Sequence, residues 1–215
     1  MTKLLKKEIK LTSSPLSYFF ILFSLMAFIP NYPILLCAFF VCFGIFHSFQ
    51  SGREASDILY TALLPVEKSD VVKSKYAFSI FIQLSGFLLL ILAVAVRMLL
   101  MKDAVIYLNN TLMNANIALL GYYLIICALF NLTFICSFFK TAYKIGIPFL
   151  CFCIFSFIAI CAAETLHYIP ELEMLNSTGF ETIQLIPLFS GIVIYTVITV
   201  ISISVSKKRF ELIDL

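Results

Sequence analysis

Apolar blocks separated by short polar joints set the pattern of this chain. A membrane-spanning helix needs about 20 predominantly apolar residues, and six runs approach or exceed that length. They are Leu16–Ile29, Ile34–Phe49, Tyr76–Leu100, Ala115–Phe139, Ile145–Ala163 and Ile183–Val205. The first two are short, and Pro30-Asn31-Tyr32-Pro33 joins them as a hairpin. At 1.5 Å per residue the first run covers only about 21 Å as an α-helix. The hairpin therefore reads either as two spans, with Asn31 and Tyr32 at a thinned outer edge, or as a re-entrant loop. We take two spans as the expectation. The fold class expected is all-α: a single polytopic membrane domain over residues 1–215 with six transmembrane helices.

Three segments break the apolar pattern. Thr2 to Leu11 is basic and amphipathic, with Leu4, Leu5, Ile9 and Leu11 apolar. It predicts an interfacial helix within residues 2–13 before Pro15 turns the chain into the bilayer. Residues 164–181 form an acidic outer loop of mixed polarity, in which Leu166, Ile169, Leu172 and Leu175 suit a small helix broken near Pro170. The longest polar stretch, REASDILYTALLPVEKSDVVKSKY from Arg53 to Tyr76, contains the loop 53–75. Within it, Ala55, Ile58, Leu59, Ala62 and Leu63 fall on one face at helical spacing. Pro65 ends that helix for want of an amide hydrogen. A second helix is expected from near Ser69, which can cap it, and Val71, Val72 and Lys75 lead on into the third span. The first helix reads either as a contact surface for a partner or as a connector lying on lipid.

Composition supports the membrane reading. The chain is 62% hydrophobic and 13% charged, with 23 phenylalanines and no tryptophan, whereas a soluble domain carries roughly 25% charged residues. The opening residues lack the small-residue cleavage site of a signal peptide, so the first span is expected to stay. Thirteen of the 15 lysines and arginines lie in the N-terminal segment, the 53–75 loop, the joint holding Lys140 and Lys144, and the C-terminus. Arg97 and Lys102 fall on the other side. By the positive-inside rule both termini are cytoplasmic, in a multi-pass protein of the cell membrane. The net charge of +3 is this orientation signal, and nucleic acid is not an expected partner.

Catalytic chemistry is missing from the sequence. The seven cysteines all lie in apolar runs and read as packing residues. His47 and His167 fall on opposite membrane faces, His167 as a solvated loop residue, so no metal site is expected. There is no phosphate-binding glycine loop, no GxSxG serine and no acid inside a span. The chain is therefore expected not to be an enzyme. Arg97 is expected to snorkel outward from the third span. Gln83 and Asn131 lie at membrane depth, where polar groups are expensive. They suit either a transport pathway or an interhelical hydrogen bond.

Asp57 to Tyr76 resembles the first cytoplasmic loop of small type-2 ATP-binding-cassette (ABC-2) permeases, whose ATPase is a separate polypeptide. The matching residues are Leu64-Pro65, Lys68, Asp70, Val71-Val72 and Lys75-Tyr76, and the LLKKEIKL segment before the first span fits the same group. The resemblance implies that the N-terminal segment is a connecting helix. It implies that Ala55 to Leu64 is a coupling helix seated in an ATPase groove, with Asp57, Ile58, Leu59, Ala62, Leu63, Leu64 and Pro65 in the contact. Lys68, Asp70, Lys75 and Tyr76 mark entry to span three. It also implies a second permease chain, two ATP-binding subunits that hold the ATP and magnesium, and a pathway between the permeases along spans one, two and five. This chain itself would bind no cofactor. The subgroup resembles exporters of amphipathic or antimicrobial peptides, including phenol-soluble modulin exporters, and lipid-like cargo also suits phenylalanine-rich spans. Two other classes stay open: a membrane scaffold or sensor subunit, and an ion-coupled carrier, which the missing buried acid disfavours.

Overall fold

Pro15 sets the first corner. Its fixed φ opens helix α2 (Pro15–Phe19), and the Ser14 hydroxyl caps it by accepting from the Leu16 amide at 3.3 Å. Before this corner, α1 (Thr2–Lys7) continues into a π-helical turn, Glu8–Thr12. This N-terminal arm lies at 94° to the segment Pro15–Phe28. The computed structural model describes residues 2–63, 65–101, 103–108, 110 and 112–213, all helix, turn or coil with no strand among them. Leu64, Lys102 and the side chain of Ala62 lie outside the described residues.

After Phe19 the chain tightens into nine residues of 3-10 helix, Phe20–Phe28. Such a helix rises about 2.0 Å per residue, so the segment from Pro15 reaches about 25 Å rather than the ~21 Å of an α-helix. Tight packing on the return helix α3 (Leu36–Glu54) accompanies this winding. The Ser17 hydroxyl donates to the Gly44 carbonyl at 2.5 Å, and the Phe20 ring lies parallel to Phe40 with centroids 6.0 Å apart. A β-carbon on Gly44 would stand 3.0 Å from the Ser17 Cα, so glycine permits the approach.

From α3 the chain turns through Ala55 and Ser56 into the short α4 (Asp57–Ala62), then enters α5 (Lys68–Leu100). A four-residue helix, α6 (Val105–Leu108), precedes α7 (Ile117–Phe130). A π turn at Asn131–Ile135 and the short α8 (Cys136–Phe138) extend α7. Then come α9 (Gly146–Leu166) and α10 (Leu185–Glu211). Among the described residues four helices are long and apolar enough to cross a membrane: Lys68–Leu100, Ile117–Phe138, Gly146–Leu166 and Thr182–Glu211. The total becomes five if the bent pair around Pro15 counts as one span. Of the six expected transmembrane helices, the two of the first hairpin are not among these four. The first segment is wound as 3-10 helix, and α3 ends in the polar run Gln50–Glu54.

The segment Ile117–Phe138 is the most buried of the four long helices. α10 crosses it where Gly121 meets Pro187 and Gly191, so closely that a β-carbon on Gly121 would overlap the Pro187 carbonyl. Small residues allow such backbone contact between apolar helices. On the other flank Phe46, Phe134, Phe149 and Phe152 form an aromatic cluster, with Phe46 and Phe149 at 4.0 Å.

Three expectations need correction. Ser69 does not cap α5: the helix starts at Lys68 after Glu67, and the Ser69 hydroxyl donates to the Glu67 carboxylate at 3.2 Å. Arg97 does not snorkel. It is buried, donates to the Ala27 carbonyl at 2.7 Å, and stacks over the Tyr107 ring at 3.6 Å. There it closes off the end of the 3-10 helix, whose last carbonyls lack helical partners. His167 is buried rather than solvated; it follows directly on α9, which runs to Leu166, and its ring lies 4.3 Å from that of Tyr168.

Candidate functional site

The basic face of the molecule, which carries α1 and α4, holds a knot of four charges, with Glu8 and Lys75 buried and Lys7 and Asp57 half-buried. Lys75 on α5 donates to Glu8 at 3.0 Å and to Asp57 at 2.9 Å. Lys7 pairs with Glu8 at 3.1 Å and also with Asp57. It further donates to the Thr61 hydroxyl at 2.9 Å, which in turn donates to the Asp57 carbonyl at 2.7 Å. Two acids and two bases alternate, so the charge cancels and each group has a partner of opposite sign. The knot joins three segments distant in sequence: the N-terminal arm, α4 and the start of α5. Gly52 makes room for it, since a β-carbon there would stand 3.0 Å from the Thr12 side chain.

Burial alone would raise the Asp57 pKa. The charge of Lys75, the hydrogen bonds from Lys7 and Lys75 and the charge of Lys7 outweigh it and hold the carboxyl below its ordinary range.

This knot orients α4. The helix is six residues long, shorter than the expected Ala55–Leu64, because Ser56 takes a left-handed conformation (φ 53°) and Ala55 belongs to the end of α3. With Asp57 and Thr61 drawn inward, the adjacent Ile58 also turns in and is 8% exposed. Leu59, Tyr60 and Leu63 then point away, 55%, 68% and 82% exposed. The apolar face expected to hold Ile58 together with Leu59 and Leu63 is thus divided: Ile58 belongs to the core and the other two to the surface. Pro65 is exposed. Tyr60, unmarked in the sequence reading, joins the surface group. Beside it a groove of about 440 Å³ opens between arm and α4, lined by Lys7, Leu11, Thr12, Tyr60 and Thr61 among others.

The entry residues of α5 go to separate partners. Lys68 donates to the carbonyls of Ile213 (2.6 Å) and Glu211 (3.5 Å), capping the end of α10. Asp70 pairs with Lys73 one turn on, at the surface. Tyr76 shares a buried hydrogen bond with Ser206 of α10 at 2.9 Å. Lys75 alone enters the knot. Deeper in the bundle, Gln83 and Asn131 face each other: Gln83 Nε2 donates to Asn131 Oδ1 at 2.9 Å, and Asn131 Nδ2 donates to Thr199 at 2.9 Å. The Tyr195 hydroxyl donates to Gln83 Oε1 at 2.9 Å. Both amides are buried and satisfied by protein partners, bridging α5, the π turn and α10.

Sequence reasoning missed Lys7 and Glu8. The signal was present: Leu4, Glu8 and Thr12 recur every fourth residue and form the buried face of the arm. An acid on that face, among four lysines, needed a buried cation opposite.

The ABC-2 family transporter protein model matches residues 3–211. Comparison with curated proteins and with solved structures gave no match. The matched stretch runs from the first lysine of the arm to the last residue of α10 and takes in every element of the knot and every long apolar helix. The chain belongs to the ABC-2 transporter family and is a multi-pass membrane permease of an ABC-type transporter, with an ATP-binding protein as its partner.

Proposed function

We propose that this permease is half of the membrane part of an exporter, paired with a second copy or sister permease and docked through α4 onto one of two separate ATP-binding subunits. The observation that carries this reading is the exposed Leu59, Tyr60 and Leu63 on a helix anchored by the ion pairs of Asp57 to Lys7 and Lys75. Apolar side chains on a fixed support suit a protein groove, because docking then requires little further ordering. In this reading the first hairpin supplies two thin spans, giving six in all, with both termini cytoplasmic in the cell membrane. ATP and magnesium are held by the partner, and the permease binds no cofactor and catalyses no reaction. The cargo is an amphipathic or antimicrobial peptide or a lipid-like molecule, which suits the apolar, phenylalanine-rich spans.

Co-expression with the ATP-binding subunit tests the docking. Leu59→Asp and Leu63→Asp should abolish co-purification and cargo-stimulated ATP hydrolysis while leaving the permease folded. Ile58→Asp should instead destabilise the permease itself, since it buries a charge. Unchanged binding in the Leu59 and Leu63 variants would make α4 a lipid-lying connector or a scaffold element. Labelling of Ser69→Cys by an impermeant external reagent, or protection of Asn176→Cys from it, would refute the orientation. ATP-independent transport by the purified chain in liposomes would restore the ion-coupled carrier.

A further inference from the structure

The N-terminal arm has four sides, and three are occupied. Towards the protein, Leu4, Glu8 and Thr12 are buried. Towards α4, Lys7 binds Asp57 and Thr61. Towards the segment that follows, the Ile9 carbonyl accepts from the Tyr18 hydroxyl at 3.3 Å, and Leu5 and Ile9 pack partly on the core. The fourth side carries Lys3, Lys6 and Lys10, all exposed and spaced three and four residues apart, so they form one row along the helix. None of the three has an ion-pair partner among the described residues. Leu11, also exposed, belongs to the groove on the α4 side.

Depth follows from the corner at Pro15. The arm lies at 94° to Pro15–Phe28, and exposed apolar surface begins at once with Leu16 and Phe19. A helix perpendicular to a membrane segment, joined to it where its apolar surface starts, lies along the membrane surface. The side bearing Tyr18 contacts then faces the bilayer, and the side bearing Lys7 and α4 faces water. The lysine row lies between these two and away from the protein, so it points sideways through the headgroup layer. We propose that Lys3, Lys6 and Lys10 form a binding surface for the phosphates of anionic lipids. The lysine stems lie along apolar surface while their ammonium groups meet the phosphates. Sideways orientation favours lipid over an acidic protein, which would approach from the water side. The inference does not depend on the ATP-binding partner.

The full chain is reconstituted in vesicles of phosphatidylcholine and phosphatidylglycerol in equal parts, each lipid spin-labelled in turn, and the immobilised fraction is read by electron paramagnetic resonance. The wild type should favour phosphatidylglycerol by roughly fivefold per engaged lysine at low salt, with the preference shrinking as salt rises. K3Q/K6Q/K10Q should lose it, and K3R/K6R/K10R should retain it. Single Lys→Gln variants should each lose a share, which keeps the test decisive if the triple variant fails to insert. Unchanged preference in the glutamine variants overturns the proposal. So does displacement of the labelled phosphatidylglycerol by free inorganic phosphate. Loss of ATP-binding-subunit capture in lipid-free detergent, with lipid preference intact, overturns it in favour of an acidic protein partner.

Discussion

Lys75 is the residue whose loss should be felt most on the basic face. Its side chain is 5% exposed and its two partners, Glu8 and Asp57, are 3% and 11% exposed. At an effective dielectric of ~20, each contact near 3 Å is worth roughly 5 kcal/mol before desolvation. Burying the ammonium offsets much of that, so the knot as a whole contributes little net stability. Removing one member is different, because it strands a buried charge. Lys75→Gln leaves two carboxylates facing Lys7 alone, and the loss should be about 3 kcal/mol. For a chain of this length that corresponds to a fall of about 6–12 °C in melting temperature. The assay suits the molecule: there is no tryptophan, but Cys37, Cys42, Cys127 and Cys136 are buried thiols. A thiol-reactive dye in mild detergent therefore reports unfolding.

A double variant separates the knot from generic damage. Glu8→Gln with Lys75→Gln removes one charge of each sign and leaves Lys7 facing Asp57, so it should lose less than the two single variants added together. Lys73→Gln is the surface control, since its pair with Asp70 lies in water at 36% and 31% side-chain exposure. Its melting temperature should not move. A Lys75→Gln protein as stable as Lys73→Gln, or a double variant that loses the full sum, would refute the argument.

Acid should act through Asp57. Its folded pKa lies below its unfolded one, so its contribution is complete above the unfolded value of about 3.9 and is lost as pH falls through the folded value. The melting temperature of the wild type should drop on that limb, and Asp57→Asn should show a smaller drop from a lower start. Gly121→Ala should force α7 and α10 apart and cost about 1–3 kcal/mol, read as a lower melting temperature. Gly146→Ala, with open space around its position, should cost nothing. Asn131→Leu should strand Gln83 and lose about 1–2 kcal/mol; Gln83→Leu in the same chain should restore part of it.

The long helices were legible because a bilayer leaves little choice. Backbone groups must be satisfied within the segment, and runs such as Tyr76–Leu100 and Ile183–Val205 satisfy them only as helix. α4 was legible as an element but not in its orientation. Periodicity ranks apolar residues and treats an acid as a mark of the wet side. Here Asp57 points inward because Lys7 and Lys75 wait there, and Ile58 turns in with it. Arg97 and His167 were misplaced for a related reason. The Ala27 carbonyl that holds Arg97 is supplied by a tertiary contact, and the place of His167 depends on where α9 stops. The 3-10 winding of Phe20–Phe28 was not readable at all, because no residue in FILFSLMAF demands it and the winding accompanies packing on α3.

One helix connects these observations. α5 has 33 residues and no proline, so it extends about 50 Å, well beyond a hydrocarbon core of ~30 Å. Along this single rod Lys75 grips the arm and α4, Gln83 grips the π turn that follows α7, and Arg97 grips the end of the 3-10 helix. The three attachments lie at the basic end, the middle and the opposite end. A displacement of α4 that keeps Lys75 seated must move the rod as a body, and the amide pair and the Arg97 seat must shift with it. If those two hold instead, the ion pairs at the basic end must open. In the first case movement at α4 is felt at the far side of the molecule through rigid-body geometry, without a relay of small side-chain shifts; in the second it stops at the ion pairs.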